Sequence, residues 1–174
     1  KIGTDTSTLS VATASFNWNH TLVAGSNRIV VVTVGGETNG QVVGPWNVSG
    51  MTYGGQVMTK AVSTKTTEPS NGATSEIWYI KEVDLPSDGI NTIQVNGQDG
   101  GTAVFLFGNC SEYSGVDQGS LDATNGVFEN STVIDDTIEN TISPSTNAWV
   151  ISTYTSGNLG TSWSVGQGQV GIID

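Results

Sequence analysis

The chain has 174 residues, enough for one domain with a full core and too few for two ordinary ones. Only 12% of it is charged while 23 positions are glycine, which excludes the Lys/Glu-rich make-up of a cytosolic helical protein and fits secreted or surface-exposed β proteins. Five basic residues against 16 acidic ones leave a net charge of −11, so no basic cluster exists to neutralise nucleic-acid phosphates or an anionic membrane surface.

In chain order, Lys1 to Ser10 is polar and Thr/Ser-rich. It is expected to be either a flexible or strand-donating arm (residues 1–10) or the start of a first strand running from about Ser7 to Phe16. Asn17 to Ser26 holds turn formers beside Trp18, His20 and Leu22 and reads as the approach to the next strand.

Asn27 to Glu37 (NRIVVVTVGGE) is the most β-branched run of the chain, stiff at χ1 and suited to a pleated surface covered on both faces. It is expected in mid-sheet, bounded by Asn27 and by Gly35-Gly36. A polar loop from Glu37 to Pro45 follows. Trp46 to Tyr53 and Gln56 to Lys65 then flank Gly54-Gly55, a double glycine that supplies the positive φ values of a tight hairpin turn.

After the loop Thr66 to Gly72, Ala73 to Val83 alternates, with Ile77, Tyr79 and Lys81 on one face and Trp78, Ile80 and Glu82 on the other. Ile90 to Asn96 is a short alternating strand, and Thr102 to Tyr113 carries AVFLF, the natural partner of the central run. Further strands are expected over Thr132 to Ile142, Asn147 to Ser156, Thr161 to Val165 and Gln169 to Ile173. About ten short strands with Gly/Asn/Asp turns predict one all-β domain over residues 1–174. The architecture expected is an antiparallel β-sandwich of jelly-roll type, with an immunoglobulin-like sandwich as the alternative.

Chemistry-bearing residues are sparse. One histidine, His20, and one cysteine, Cys110, exclude a His-rich metal centre and an internal disulfide; both residues read as structural. A glycoside hydrolase needs only two carboxylates, and Glu76 beside Trp78 and Tyr79 and Glu112 beside Tyr113 are the acids nearest aromatic rings. No cofactor is expected, calcium excepted, for which the loop acids Asp84 with Asp88, Asp117 with Asp122, and Asp135, Asp136 and Glu139 are candidates without EF-hand spacing. Sugar stacking would need exposed indoles, and Trp46 and Trp163, beside Gly-rich loops, fit better than Trp78 and Trp149, which fall within expected strands. Of the sequons at Asn19, Asn47, Asn109 and Asn130, Asn47 and Asn130 lie near loops where glycan could be carried.

The succession SFNWNHTLVAGSNRIVVVTV, MTYGGQVMTKAV, SEIWYI, DGINTIQV and EYSGVDQ resembles a largely uncharacterised β-sandwich domain that recurs in large secreted and cell-surface proteins of bacteria and archaea. The resemblance implies a role in adhesion, surface architecture or carbohydrate contact and brings no catalytic residues with it. In that family the domain continues beyond the position of GIID, which implies a sandwich short of an edge strand and open to strand donation. The expectation is therefore a non-catalytic extracellular or cell-surface structural or adhesive protein, a filament or pilus subunit among the forms it would take. Its partners would be other copies of itself, other surface proteins or a polysaccharide, with no nucleic acid and no membrane span. A carbohydrate-binding module is the alternative and a glycoside hydrolase the third reading.

Overall fold

The computed structural model describes residues 1–11, 15–39, 46–65, 71–98, 103–126, 141–146, 148–153 and 155. Nine strands follow in order among them: β1 (Ile2–Val11), β2 (Ser15–Leu22), β3 (Ile29–Asn39), β4 (Asn47–Tyr53), β5 (Gln56–Val57), β6 (Thr59–Lys65), β7 (Asn71–Lys81), β8 (Gly89–Gln98) and β9 (Ala103–Tyr113). A single turn of 3-10 helix, Glu82–Asp84, links β7 towards β8, and no α-helix occurs among the described residues.

The strands form two antiparallel sheets, one ordered β1-β9-β3-β7-β6 and the other β2-β8-β4-β5. Strand pairs are nested, β1 with β9, β2 with β8, β3 with β7 and β4 with β5, so the chain is a long hairpin ribbon rolled across two layers. That nesting is the jelly-roll connectivity, with β6 added beside β7. The immunoglobulin-like alternative fails on topology: its first two strands share a sheet, whereas β1 and β2 lie in opposite sheets.

The central run behaves as its composition requires. β3 is the middle strand of its sheet and pairs with β7 and β9, Val32 lying opposite Trp78 on one side and Cys110 on the other. Val30, Val32 and Val34 point between the sheets, where they meet Phe16, Trp46, Met51, Tyr53, Ile93 and Val95. Complete burial of an aliphatic side chain such as Leu22, Ile93 or Leu106 stabilises by about 1.5–3 kcal/mol, so this layer supplies most of the apolar driving force. Ile29 and Val31 point to the opposite face and form a second cluster with Tyr113, against which Ile77, Tyr79, Val116 and Ile151 pack.

Gly35 and Gly36 do not end β3, which continues to Asn39. They are glycine because the space beside them is taken. A Cβ at Gly35 would lie 2.1 Å from the Phe107 ring and one at Gly36 would lie 2.6 Å from the Trp46 ring. The hairpin at Gly54-Gly55 forms as expected, with φ of 56° and 84°, but its second arm breaks at buried Met58 and continues as β6 in the other sheet.

Ile2–Val11, expected as an arm or the start of a first strand, pairs with β9 of the same chain. Two expectations are corrected. Asn17 to Ser26 is not a turn region at its start, since β2 runs to Leu22 with Phe16, Trp18, His20 and Leu22 buried in strict alternation. The expected strand over Asn147 to Ser156 forms no ladder at 148–153 or 155; that segment lies across the outer face of the five-stranded sheet and contributes side chains, Ile151 among them. The expected strands at 161–165 and 169–173 lie outside the described residues, as does the one at 132–142 except for its last two positions.

Candidate functional site

The two acids singled out beside aromatic rings are both fully buried. Glu76, on β7, points into the sandwich. One of its oxygens accepts the Val48 N–H and the Ser63 hydroxyl, each at 3.2 Å, and the other accepts the Trp78 indole N–H at 2.7 Å and the Lys60 ammonium at 3.0 Å. Lys60 also donates to the Val48 carbonyl at 3.2 Å and lies 4.9 Å over the Trp78 ring. The carboxylate is thus fully used in tying β6 and β7 to β4 of the facing sheet.

Glu112, on β9, accepts the Val23 N–H at 3.1 Å through one oxygen, while the other is buried with no hydrogen-bond partner among the described residues. Burial pushes its carboxyl above the ordinary range. The two acids flank β3 on opposite sides, Glu76 opposite Val34 and Glu112 opposite Val30. Four residues along a strand and two strand spacings put their backbones about 16 Å apart. Glycosidase carboxylates act across about 5–9.5 Å, so these two do not form such a pair.

His20 is buried as well, its Nδ1 2.9 Å from the Tyr53 hydroxyl, and burial lowers its pKa while raising that of Tyr53. His20 sits in β2 and not in a turn. Cys110 is buried and unpaired, its thiol pushed far up by burial.

Of the indoles proposed for sugar stacking, Trp46 is 1% exposed and packs on Phe16, because the Gly36 backbone leaves it a slot in the core. It offers no face to a ligand. Trp163 lies outside the described residues. Among the described residues the exposed indole is Trp149, at 56%, standing edge-on to Tyr113 with ring centres 5.2 Å apart. Beside it a cleft of about 80 Å³ opens over β1, β9 and β3, lined by Asp5, Thr33, Asn109, Ser111 and Tyr113. Small-molecule sites run from about 300 Å³, so this cleft has room only for a few waters.

Three of the candidate calcium acids have other engagements. Asp88 is 2.6 Å from Arg28, Asp117 accepts the Gly119 N–H at 2.8 Å, and Asp122 accepts the Ser145 hydroxyl at 2.6 Å. Asp84 is exposed in the 3-10 turn. Among the described residues no three carboxylate, imidazole or thiol groups converge into a metal-binding set. Asp135, Asp136, Glu139 and Asn130 lie outside the described residues, and Asn47 is half-buried at the start of β4. No described helix is long and apolar enough to cross a membrane.

What the structure does present is strand edges. Among the described residues β1 and β6 bound one sheet and β2 and β5 the other, and the Trp18 indole N–H bonding the Thr6 hydroxyl at 3.2 Å places β1 and β2 on the same flank. β1 is an unusual member of the fold. Its ladder to β9 is continuous from Thr6 to Val11, yet no side chain from Lys1 to Leu9 is fully buried and Leu9 is 62% exposed. β2, by contrast, buries every second side chain. Sequence reasoning passed over β2 because Asn17 and Asn19 read as turn formers. The period-two alternation of Phe16, Trp18, His20 and Leu22 was the signal that identifies it.

Comparisons of the chain with protein-family models, with curated proteins and with solved structures found no match.

Proposed function

We propose that the chain is a non-catalytic structural or adhesive subunit of a cell surface or extracellular filament, which joins copies of itself by exchange of β1. The observation that carries this reading is the way β1 is held: by its main-chain ladder to β9, with no fully buried side chain between Lys1 and Leu9. A strand bound through its backbone is replaced at little cost by the same strand of a neighbour, since every hydrogen bond is remade. β1 lies in the opposite sheet from β2, the next strand, so its ladder to β9 opens without breaking a strand pair of the other sheet.

Two further facts support it. The acids and indole that would serve catalysis or sugar stacking, Glu76, Glu112 and Trp46, are consumed by the core. The low-charge, Gly-rich composition suits a secreted setting.

Electron microscopy of the native material, with a Ser7→Cys/Asn109→Cys variant beside it, tests this function. These residues face each other across β1 and β9, so their disulfide locks the strand at home. The reading expects filaments from the wild type and none from a variant whose disulfide is closed at high dilution, within single chains. Filaments from neither protein, or from both, would overturn it.

A further inference from the structure

Sheet edges are ordinarily blunted, because a row of free N–H and C=O groups recruits other chains. Among the described residues, three of the four edges carry such protection. β6 has Lys60 and Lys65 and a bulge between Lys60 and Val62. β5 is two residues long. β1 has a bulge between Ile2 and Thr6, Gly3 at φ 66°, and an ion pair between Lys1 and Asp5. β2 has none of these. Its eight residues pair without interruption from Ser15 opposite Asn96 to Leu22 opposite Gly89, and they contain no lysine, proline, bulge or carboxylate.

The absence of charge is pointed in a chain of net charge −11. Copies of this molecule repel one another over most of their surface, and β2 is a stretch where two copies meet without opposing carboxylates. Its solvent face carries Asn17, Asn19 and Thr21, and its one titratable side chain, His20, points into the core. In an antiparallel pairing of β2 with itself, residues on the same face lie opposite one another. Asn17 then faces Asn19, or Asn19 faces its own copy, and no register brings two charges together.

We infer that the outer edge of β2 is a strand-addition site whose occupant is β2 of a second copy, antiparallel and two-fold symmetric, joining two four-stranded sheets into one continuous sheet. This rests on the self-association reading above and adds to it a second contact. Because β1 and β2 share a flank, a copy docked on β2 brings its own β1 alongside the strand it would replace. The site therefore serves as the encounter surface for exchange.

The test is sedimentation velocity on three full-length proteins. In Asn17→Asp/Asn19→Asp the substitutions are nearly isosteric and exposed, and an aspartate at 19 still accepts the Thr92 hydroxyl that Asn19 holds at 2.9 Å. The Ser7→Cys/Asn109→Cys lock is the second variant, and circular dichroism confirms that all three proteins are folded. The inference expects a wild-type dimer that persists in the lock and strengthens with added salt as the net charge is screened. It expects the dissociation constant of the aspartate variant to rise about tenfold or more, the effect of about 1.4 kcal/mol. A dimer abolished by the lock and unchanged by the aspartates would overturn the β2 site and leave exchange standing. A wild type that is monomeric at every concentration and salt would overturn both.

Discussion

Glu112 holds one carboxyl oxygen against the Val23 N–H at 3.1 Å and buries the other without a partner among the described residues. Burial is the leading cause of its raised pKa. The Val23 N–H and Arg28 work against the shift, and Asp88 and Glu82 add to it. The folded protein therefore holds this proton more tightly than the unfolded chain, whose value is near 4.5. The resulting stability is complete below that pH and is lost as pH rises through the folded value. Glu112→Gln, which cannot ionise, is expected to raise the melting temperature at pH 7 and to change it little at pH 4. A lower melting temperature at pH 7 would count against the assignment.

Glu76 is the opposite case, a buried carboxylate with every oxygen engaged. Glu76→Ala strands the buried Trp78 indole N–H and Val48 N–H and opens a gap between β7 and β4, while Lys60, 36% exposed, keeps water and the Val48 carbonyl. Burying such donors without an acceptor costs about 1–3 kcal/mol. Urea denaturation should show a loss in that range, whereas Lys65→Ala, at an exposed residue of the same β6 edge, should cost under about 0.5 kcal/mol.

Arg28 fastens the β2–β3 turn to the 3-10 turn. It meets Glu82 through two nitrogens, at 2.8 and 2.9 Å, and Asp88 at 2.6 Å. The Arg28 side-chain hydrogen bond is the main reason the Glu82 carboxyl is held down to about 2. Its stabilising effect is present above about pH 4.5 and disappears as pH falls towards 2. Arg28→Lys keeps the charge and loses the fork. Because the Glu82 side chain is 33% exposed, solvent screens the pair and the expected cost at pH 7 is about 1 kcal/mol. Melting curves of the two proteins should converge near pH 2; a constant gap would show that the cost is one of packing.

Gly36→Ala places a methyl group 2.6 Å from Trp46 and 2.8 Å from Leu106, both fully buried. Overpacking of this kind costs about 1–3 kcal/mol. Gly50→Ala, where a Cβ meets nothing within 4 Å, serves as the control and should be neutral or slightly stabilising. Equal losses at the two positions would contradict the account of why β3 carries glycine.

The sandwich was legible in the sequence wherever side-chain chemistry decides it. The β-branched run at Ile29–Val34 marked the central strand, AVFLF marked its partner β9, and Gly54-Gly55 marked the hairpin. The glycines at 35 and 36 misled because their reason is non-local: they make room for Phe107 and Trp46, which come from distant stretches of chain. Trp46 reads as a better platform candidate than the strand indoles because a neighbouring loop is visible in sequence and the slot over Gly36 is not. The 148–153 segment alternates like a strand, yet alternation cannot tell a ladder from side chains laid over a finished sheet. The edges that carry the proposed function are still less legible, since an edge is defined by what fails to pair with it.

The most direct measurement mixes two chains, one carrying Ser7→Cys and the other Asn109→Cys, under mild oxidation. In one chain these residues are register partners on β1 and β9, and Cys110 is buried away from the oxidant. Exchange of β1 predicts a disulfide between the two chains at this pair, identified by mass spectrometry of the linked peptides and growing with protein concentration. Mixed chains that stay unlinked, while the double variant closes its own disulfide readily, would contradict exchange and with it the proposed mode of assembly.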